Sequence, residues 1–242
     1  MTVKEHYDNH LGAFYSWMIG DFTERQKEQQ AILEQLEIKP CNNKIAIDLG
    51  AGHGLQAVSL AQSGFKVKAI DFNGQLLAEL ELNRGDQPVE IINDDLLNVK
   101  KYGLPAPEVI TCCGDTITHL STTGELRQLI GDCAEILVPN GKLVLSFRDY
   151  THALSGDSRF IKVKSDDTRI LTCCLDYDAT SILVTDMLYE KENNNWVQKI
   201  SSYTKLRILP EEVINMLKEN GFVIQANIVI NRFVYLVAVK VV

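Results

Sequence analysis

Between Asp48 and Gly54 the chain reads Asp-Leu-Gly-Ala-Gly-His-Gly, with Gly50, Gly52 and Gly54 at every second position around Ala51 and His53. Glycines at this spacing let the backbone approach a ligand closely. A helix expected over residues 54–63 offers unpaired N–H groups at its start. An apolar run at 44–48 leads into the loop, and a second at 65–70 ends in Asp71. Strand, glycine loop, helix and strand make a nucleotide-binding half with a carboxylate at the tip of each strand. An acidic residue ending the second strand suits a ribose diol.

The loop narrows the choice of nucleotide. A nicotinamide or flavin site favours G-x-G-x-x-G. Here the spacing is G-x-G-x-G, and Leu55 stands where the last glycine of that pattern would fall. Asp48 would repel a pyrophosphate and attract a cationic amino group. S-adenosylmethionine (SAM) has ribose, adenine and a cationic amino group, and no phosphate. The stretch from Asp48 to Gly54 resembles motif I of the class I SAM-dependent methyltransferases.

The elements that position these residues alternate. Strands are expected at 44–48, 66–70, 89–92, 108–113 and 142–147, with helices at 54–63, 74–82 and 123–137. Such alternation predicts a mostly parallel sheet covered on both faces. Residues 7–37 read mainly as helix, broken near Gly20, with Asp21 or Thr23 as a cap. After Phe147 the pattern changes. Segments 169–176, 181–191 and 197–207 are rich in Thr, Ile, Val and Tyr and predict an antiparallel meander of three strands. Pro210 starts a helix that Gly221 ends, and 222–230 and 233–242 read as a final antiparallel pair. The fold class is therefore α/β, a Rossmann-like, doubly wound sheet of seven strands with a small antiparallel insertion after strand 5. Residues 1–242 read as one domain, with an N-terminal helical segment at 1–40 and a substrate lid at 149–208.

Bulk properties exclude several classes. The net charge of −8 and the lack of a Lys/Arg cluster argue against a nucleic-acid partner. No apolar run approaches the ~18 residues of a membrane span, and residues 1–8 hold no signal-peptide core. The six cysteines match neither a zinc spacing nor a secreted disulfide framework. They read as small buried hydrophobes in a reducing cytoplasm, and no metal is expected.

Over nearly its whole length the chain is similar to the glycine N-methyltransferase type and its bacterial glycine/sarcosine relatives. The similarity is carried by Tyr-x-Trp-x-Ile-Gly-Asp (15–21), the glycine loop, Gly-Asp-Thr-Ile-Thr-His-Leu (114–120), Phe-Arg-Asp-Tyr (147–150) and Lys-Ser-Asp-Asp (164–167) with the meander after it. In open α/β sheets ligands bind beyond the carboxyl ends of the strands. That places Asp48, Gly50, Gly52, Gly54, Asp71, Phe72, Asp95, Leu96 and Cys113 at the donor. Asp95 is the expected partner of the adenine amino group, with Asp94 as the alternative. The resemblance implies that Arg25 pairs with the SAM carboxylate, and that Tyr7 and Tyr15 lie over donor and acceptor. It implies that His119 lines the site and that Arg148 holds an acceptor carboxylate with its bidentate fork. An ion pair between Arg148 and Asp149, and a purely structural His119, stay open.

The chain also departs from that branch. Asp115 stands where the glycine enzymes have asparagine, and Met18, Val163 and Leu209 stand near positions of pocket tyrosines. The expected acceptor is thus a small molecule other than glycine. Asp115 and Arg148 together would suit an acceptor with both an amine and an anionic group. Direct in-line transfer to nitrogen, yielding S-adenosylhomocysteine (SAH), is the leading reading. Asp115 either orients the acceptor or takes its proton, and His119 is the alternative base. An O-methyltransferase and a non-catalytic SAM-binding regulator are the competing readings. The expected assembly is a monomer or homodimer.

Overall fold

The computed structural model describes residues 1–241. The N-terminal segment is four short pieces rather than one broken helix. These are α1 (Val3–Asn9), a 3-10 turn (Leu11–Phe14), α2 (Tyr15–Ile19) and α3 (Phe22–Gln35). Thr2 and Glu5 form a reciprocal capping box on α1. Gly20, at φ 110°, makes the break, and the Asp21 side chain caps α3 through the Glu24 N–H at 2.9 Å. A left-handed residue cannot continue a right-handed helix, which is why the pattern splits there.

The main sheet follows. Strands β1 (Ile45–Leu49), β2 (Lys66–Asp71), β3 (Val89–Asn93), β4 (Val109–Cys112) and β5 (Lys142–Arg148) alternate with α4 (Leu55–Gln62), α5 (Gly74–Arg84) and α6 (Thr123–Ile136). After the second sheet come α7 (Pro210–Glu219), β10 (Phe222–Ile230) and β11 (Phe233–Lys240). The order is β10-β11-β5-β4-β1-β2-β3, parallel from β3 to β5 and antiparallel at β11 and β10. This is the expected doubly wound, seven-stranded sheet. Its faces bury two separate cores. On one side Leu126, Leu129 and Ile130 of α6 pack with Val213 and Leu217 of α7. On the other Leu33, Val58, Leu60 and Leu80 close the α3–α5 face. Burying a leucine of this kind contributes about 1.5–3 kcal/mol.

The insertion after β5 is a second sheet of four strands, not three. β6 (Phe160–Ser165), β7 (Arg169–Tyr177), β8 (Ser181–Glu192) and β9 (Asn195–Leu206) run antiparallel in that order. β6 escapes sequence reading because it is an exposed edge strand with lysines at 162 and 164, the composition that protects an edge from further pairing. The second sheet is fastened to the N-terminal pieces. Leu11 and Phe14 pack with Leu171 and Leu188, and the Trp17 indole N–H donates to Asp166 at 2.5 Å. Arg207 ties the sheet to the exit of β5 by donating to the carbonyls of Tyr150, Thr151 and Asp178 at 3.0–3.1 Å.

Gly54 caps α4 at φ 102°, and a Cβ there would stand 2.2 Å from Leu80 Cδ1. Gly54→Ala therefore combines backbone strain with overpacking and is expected to cost about 2–4 kcal/mol. Urea unfolding would check this; a loss under about 1 kcal/mol would show that Leu80 yields without cost.

Candidate active site

A cavity of about 170 Å³ opens at the carboxyl ends of β1 to β4. The glycine loop makes its floor. Gly50, at φ 70°, lies so close to Thr116 that a Cβ would sit 2.4 Å from Thr116 Cγ2. Gly50 and Gly52 reach the cavity wall, whereas Ala51 and Gly54 are buried behind it.

Asp71 closes one side. Its Oδ2 accepts the Gly52 N–H and its Oδ1 the Asn73 N–H, both at 2.8 Å. Each oxygen keeps a free lone pair, and the residue lines the cavity. Burial raises its pKa, and the backbone N–H bonds of Asn73 and Gly52 oppose the rise. Phe72, Asp95, Leu96 and Cys113 line the same cavity. Asp95 caps the turn Leu96–Tyr102 through the Leu97 N–H at 2.9 Å. Its neighbour Asp94 is turned to the Tyr102 hydroxyl at 2.6 Å and the Asn98 amide at 2.8 Å. Burial lifts the Cys113 thiol to about 12, so it stays protonated.

Asp48 stands behind the loop, 1% exposed and off the wall. Its Oδ1 accepts from the Thr111 hydroxyl at 2.7 Å, and its Oδ2 is buried without a partner. Burial pushes its carboxyl up to about 7 against the Thr111 bond. Arg25 is also off the wall. It donates to the Ile19 carbonyl at 3.0 Å and to Glu28 at 2.9 Å.

Over the cavity sit Tyr7 of α1, Tyr15 of α2 and His119. Tyr7 meets Phe72 edge-on at 5.9 Å and His119 at 5.7 Å. Burial, then the nearby Lys205 ammonium, lowers the His119 pKa to about 3, so the imidazole is neutral. Its Nε2 is buried and partnerless. Asp115 is 3% exposed. Its Oδ1 accepts the Arg148 N–H at 3.0 Å, and its Oδ2 accepts from the Tyr150 hydroxyl at 3.0 Å and from Lys205 at 2.6 Å. The Arg148 guanidinium is outside the cavity, stacked on the Phe233 ring at 4.5 Å. Asp115 and Arg148 are thus joined through the backbone and not through facing charges. Sequence reading missed Lys205, Tyr203, Glu125 and Thr116. The polar alternation Ser201-x-Tyr203-x-Lys205 on β9 was the available signal.

The family described as "Methyltransferase domain" matches residues 46–141. That span covers β1 to the end of α6 and all the loops of the cavity floor. Residues 46–141 thus match a methyltransferase domain, within a fold shared with SAM-dependent methyltransferases. Glycine/sarcosine N-methyltransferase of Aphanothece halophytica is 24% identical over 153 residues, 61% of this chain and 57% of that enzyme's length. In fold, the CcbJ methyltransferase from Streptomyces caelestis superposes with TM-score 0.81 at 16% identity, covering 98% of each chain. SAM-bound CalS10, an amino pentose methyltransferase from Micromonospora echinaspora, gives 0.71 at 15% identity, covering 89% and 91%.

The residues lining this cavity fit SAM. Asp71 presents two acceptor oxygens where a diol needs them, Leu96 and Leu97 offer apolar contact, and the glycine floor leaves room. Among the described residues, no cluster of His, Cys, Asp and Glu is suited to a metal.

Two predictions concern these aspartates. Asp71→Asn removes the charge from two hydrogen bonds and is expected to weaken SAM binding about 10–100-fold by calorimetry. An affinity within threefold of wild type would remove Asp71 from the donor site. Asp48 acts on stability. Unfolded, it ionises near ~3.9; folded, it keeps its proton to about 7. The folded state binds more protons between those values, so stability falls as pH rises through that window. Asp48→Asn should flatten that slope in thermal melts from pH 4 to 8; an unchanged slope would assign it to other groups.

Proposed function

We propose that this chain transfers a methyl group from SAM to the nitrogen of a small molecule larger than glycine. The observation that carries this reading is a second hollow of about 660 Å³ beside the donor cavity. The two share Phe72, Asp95, His119, Leu120 and Ser121 on their walls. The outer walls of the second are α1, the β7–β8 turn and the end of β9. The volume is in the range of pockets for drug-sized ligands, well beyond what glycine fills. The glycine/sarcosine N-methyltransferase supports nitrogen as the accepting atom, and the hollow favours a bulkier scaffold, such as the amino pentose named for CalS10.

When bound, SAM supplies a methyl group on a positively charged sulfur, already activated for displacement. The protein's task is then alignment and the exclusion of water. Phe72 stands at the junction of the two hollows, and Tyr7 and Tyr15 continue the aromatic wall on the donor side. The neutral His119 ring lines both hollows, and a ring nitrogen without a proton can accept one N–H of the incoming amine and so orient its lone pair. Asp71 and Asp95 hold the ribose and adenine, with Tyr7 and Tyr15 above. The second sheet, fixed by Arg207 and Trp17, serves as the lid. The cysteines, none in a disulfide, suit a reducing cytoplasm.

Labelled methyl transfer tests this across amino sugars, amino acids and hydroxy acids. The expected product is an N-methylated amine with stoichiometric SAH. His119→Ala is expected to lower kcat/KM about 10–100-fold, with a smaller effect on SAM affinity. Transfer to oxygen alone would move the reading to an O-methyltransferase. Tight SAM binding without SAH formation across the panel would favour a regulator.

A further inference from the structure

Ser201, Tyr203 and Lys205 are alternate residues of β9 and so share one face of the second sheet. That face meets the loops of the main sheet. Ser201 Oγ is 2.8 Å from His6 Nδ1, and Tyr203 stacks on His6 at 4.1 Å and meets His119 edge-on at 5.8 Å. Lys205 Nζ reaches Asp115 Oδ2 at 2.6 Å, with the two side chains 11% and 5% exposed. Burial opposes the charge on each. The pairing overcomes it, holding the Asp115 carboxyl below its ordinary value and the Lys205 ammonium well above. Both groups are therefore ionised.

The two charges are unequally placed. Lys205 is on the wall of the second hollow, and Asp115 is on the wall of neither. Both Asp115 oxygens are engaged, by the Arg148 N–H, the Tyr150 hydroxyl and Lys205. Lys205 also acts on the Tyr7 and Tyr15 hydroxyls, which burial pushes up and its charge pulls back. Those tyrosines line the donor cavity, so its field extends to the place of transfer. Tyr150, Tyr203 and Cys173, which also face it, are held protonated by burial.

We propose that Lys205 is a specificity-determining residue of the acceptor hollow: it withdraws Asp115 into an internal pair, so the site takes a nucleophile that arrives uncharged and rejects an ammonium. This rests on the reading of the second hollow as the acceptor site. A neutral His119 offers one acceptor atom, which suits one N–H or O–H and not the three N–H of an ammonium. The substrate class is a weakly basic amine or one bound as its free base.

SAM and SAH probe the charge at the point of transfer without an identified acceptor, because they differ there by one methyl group and one positive charge. Calorimetry of the whole chain gives the ratio of their affinities. Lys205→Met frees the carboxylate, and the ratio is expected to move toward SAM by about tenfold. Asp115→Asn leaves the ammonium alone and should move it toward SAH by a similar factor. The Asp115→Asn/Lys205→Met protein should return to within about twofold of wild type. Either single variant strands a buried charge and can fail to fold; Asp115→Asn keeps an amide oxygen that can still accept from Lys205, and the double variant strands neither charge, so these two carry the test, with circular dichroism confirming the fold. A folded Asp115→Asn protein with the wild-type ratio overturns the proposal. Failure of wild type to bind either compound would instead overturn the methyltransferase reading.

Discussion

The cavity at the strand ends exists because the main sheet reverses its winding at β1. β1 pairs with β2 on one side and β4 on the other. The chain therefore leaves neighbouring strand ends in opposite directions, and the loops part above them. Gly50, Asp71, Asp95 and Cys113 come from four different strand ends, yet they share one wall because the strands are in parallel register. The parting is narrow. Thr116, from the loop after β4, nearly touches the α-carbon of Gly50. Any side chain at residue 50 would force the loops after β1 and β4 apart and displace the floor.

A second constraint acts where the four-stranded sheet meets these loops. Polar groups buried there must be paired or they destabilise the fold by several kcal/mol. Two buried pairs cross between the parts of the chain, Asp115 with Lys205 and His6 with Ser201, and an exposed contact of Trp17 with Asp166 joins them as well. The insertion is therefore positioned by directional contacts as well as by its apolar face around Leu171 and Leu188. Directional pairing fixes the register of β9 against the main sheet, because a slip of one residue would turn Tyr203 and Lys205 to the opposite face.

Most of the residues that line the cavity at the strand ends were legible because their signal is local. Asp48 to Gly54, Asp71 and Asp95 each sit at a strand end that hydrophobic patterning marks. Even so, Asp48 proved to be a buried brace at Thr111, since a strand's period-two alternation does not say whether a carboxylate at its tip points to the crevice or behind the loop. Arg25 was placed by resemblance to its neighbours in sequence, but its own helix supplies Glu28 three residues on as an alternative partner. β6 was missed because an edge strand buries too little to leave a pattern. The acceptor side was least legible, since its contacts join residues 90 to 195 positions apart.

Asp115 shows why a residue's type at a matched position does not define its chemistry. Seen alone beside a methyl-transfer site, a carboxylate in place of an asparagine reads as a base or as an anchor for an ammonium. The answer depends on residue 205. With the ammonium of Lys205 on Oδ2, the carboxylate is ionised but engaged, and removing a proton from an amine would require breaking that pair. The same ammonium helps hold His119 neutral and weakly basic. Neither group is left as a competent base near neutral pH. The basicity of the acceptor itself then sets how much of it is reactive, and the protein influences that fraction through the charge it places on the wall.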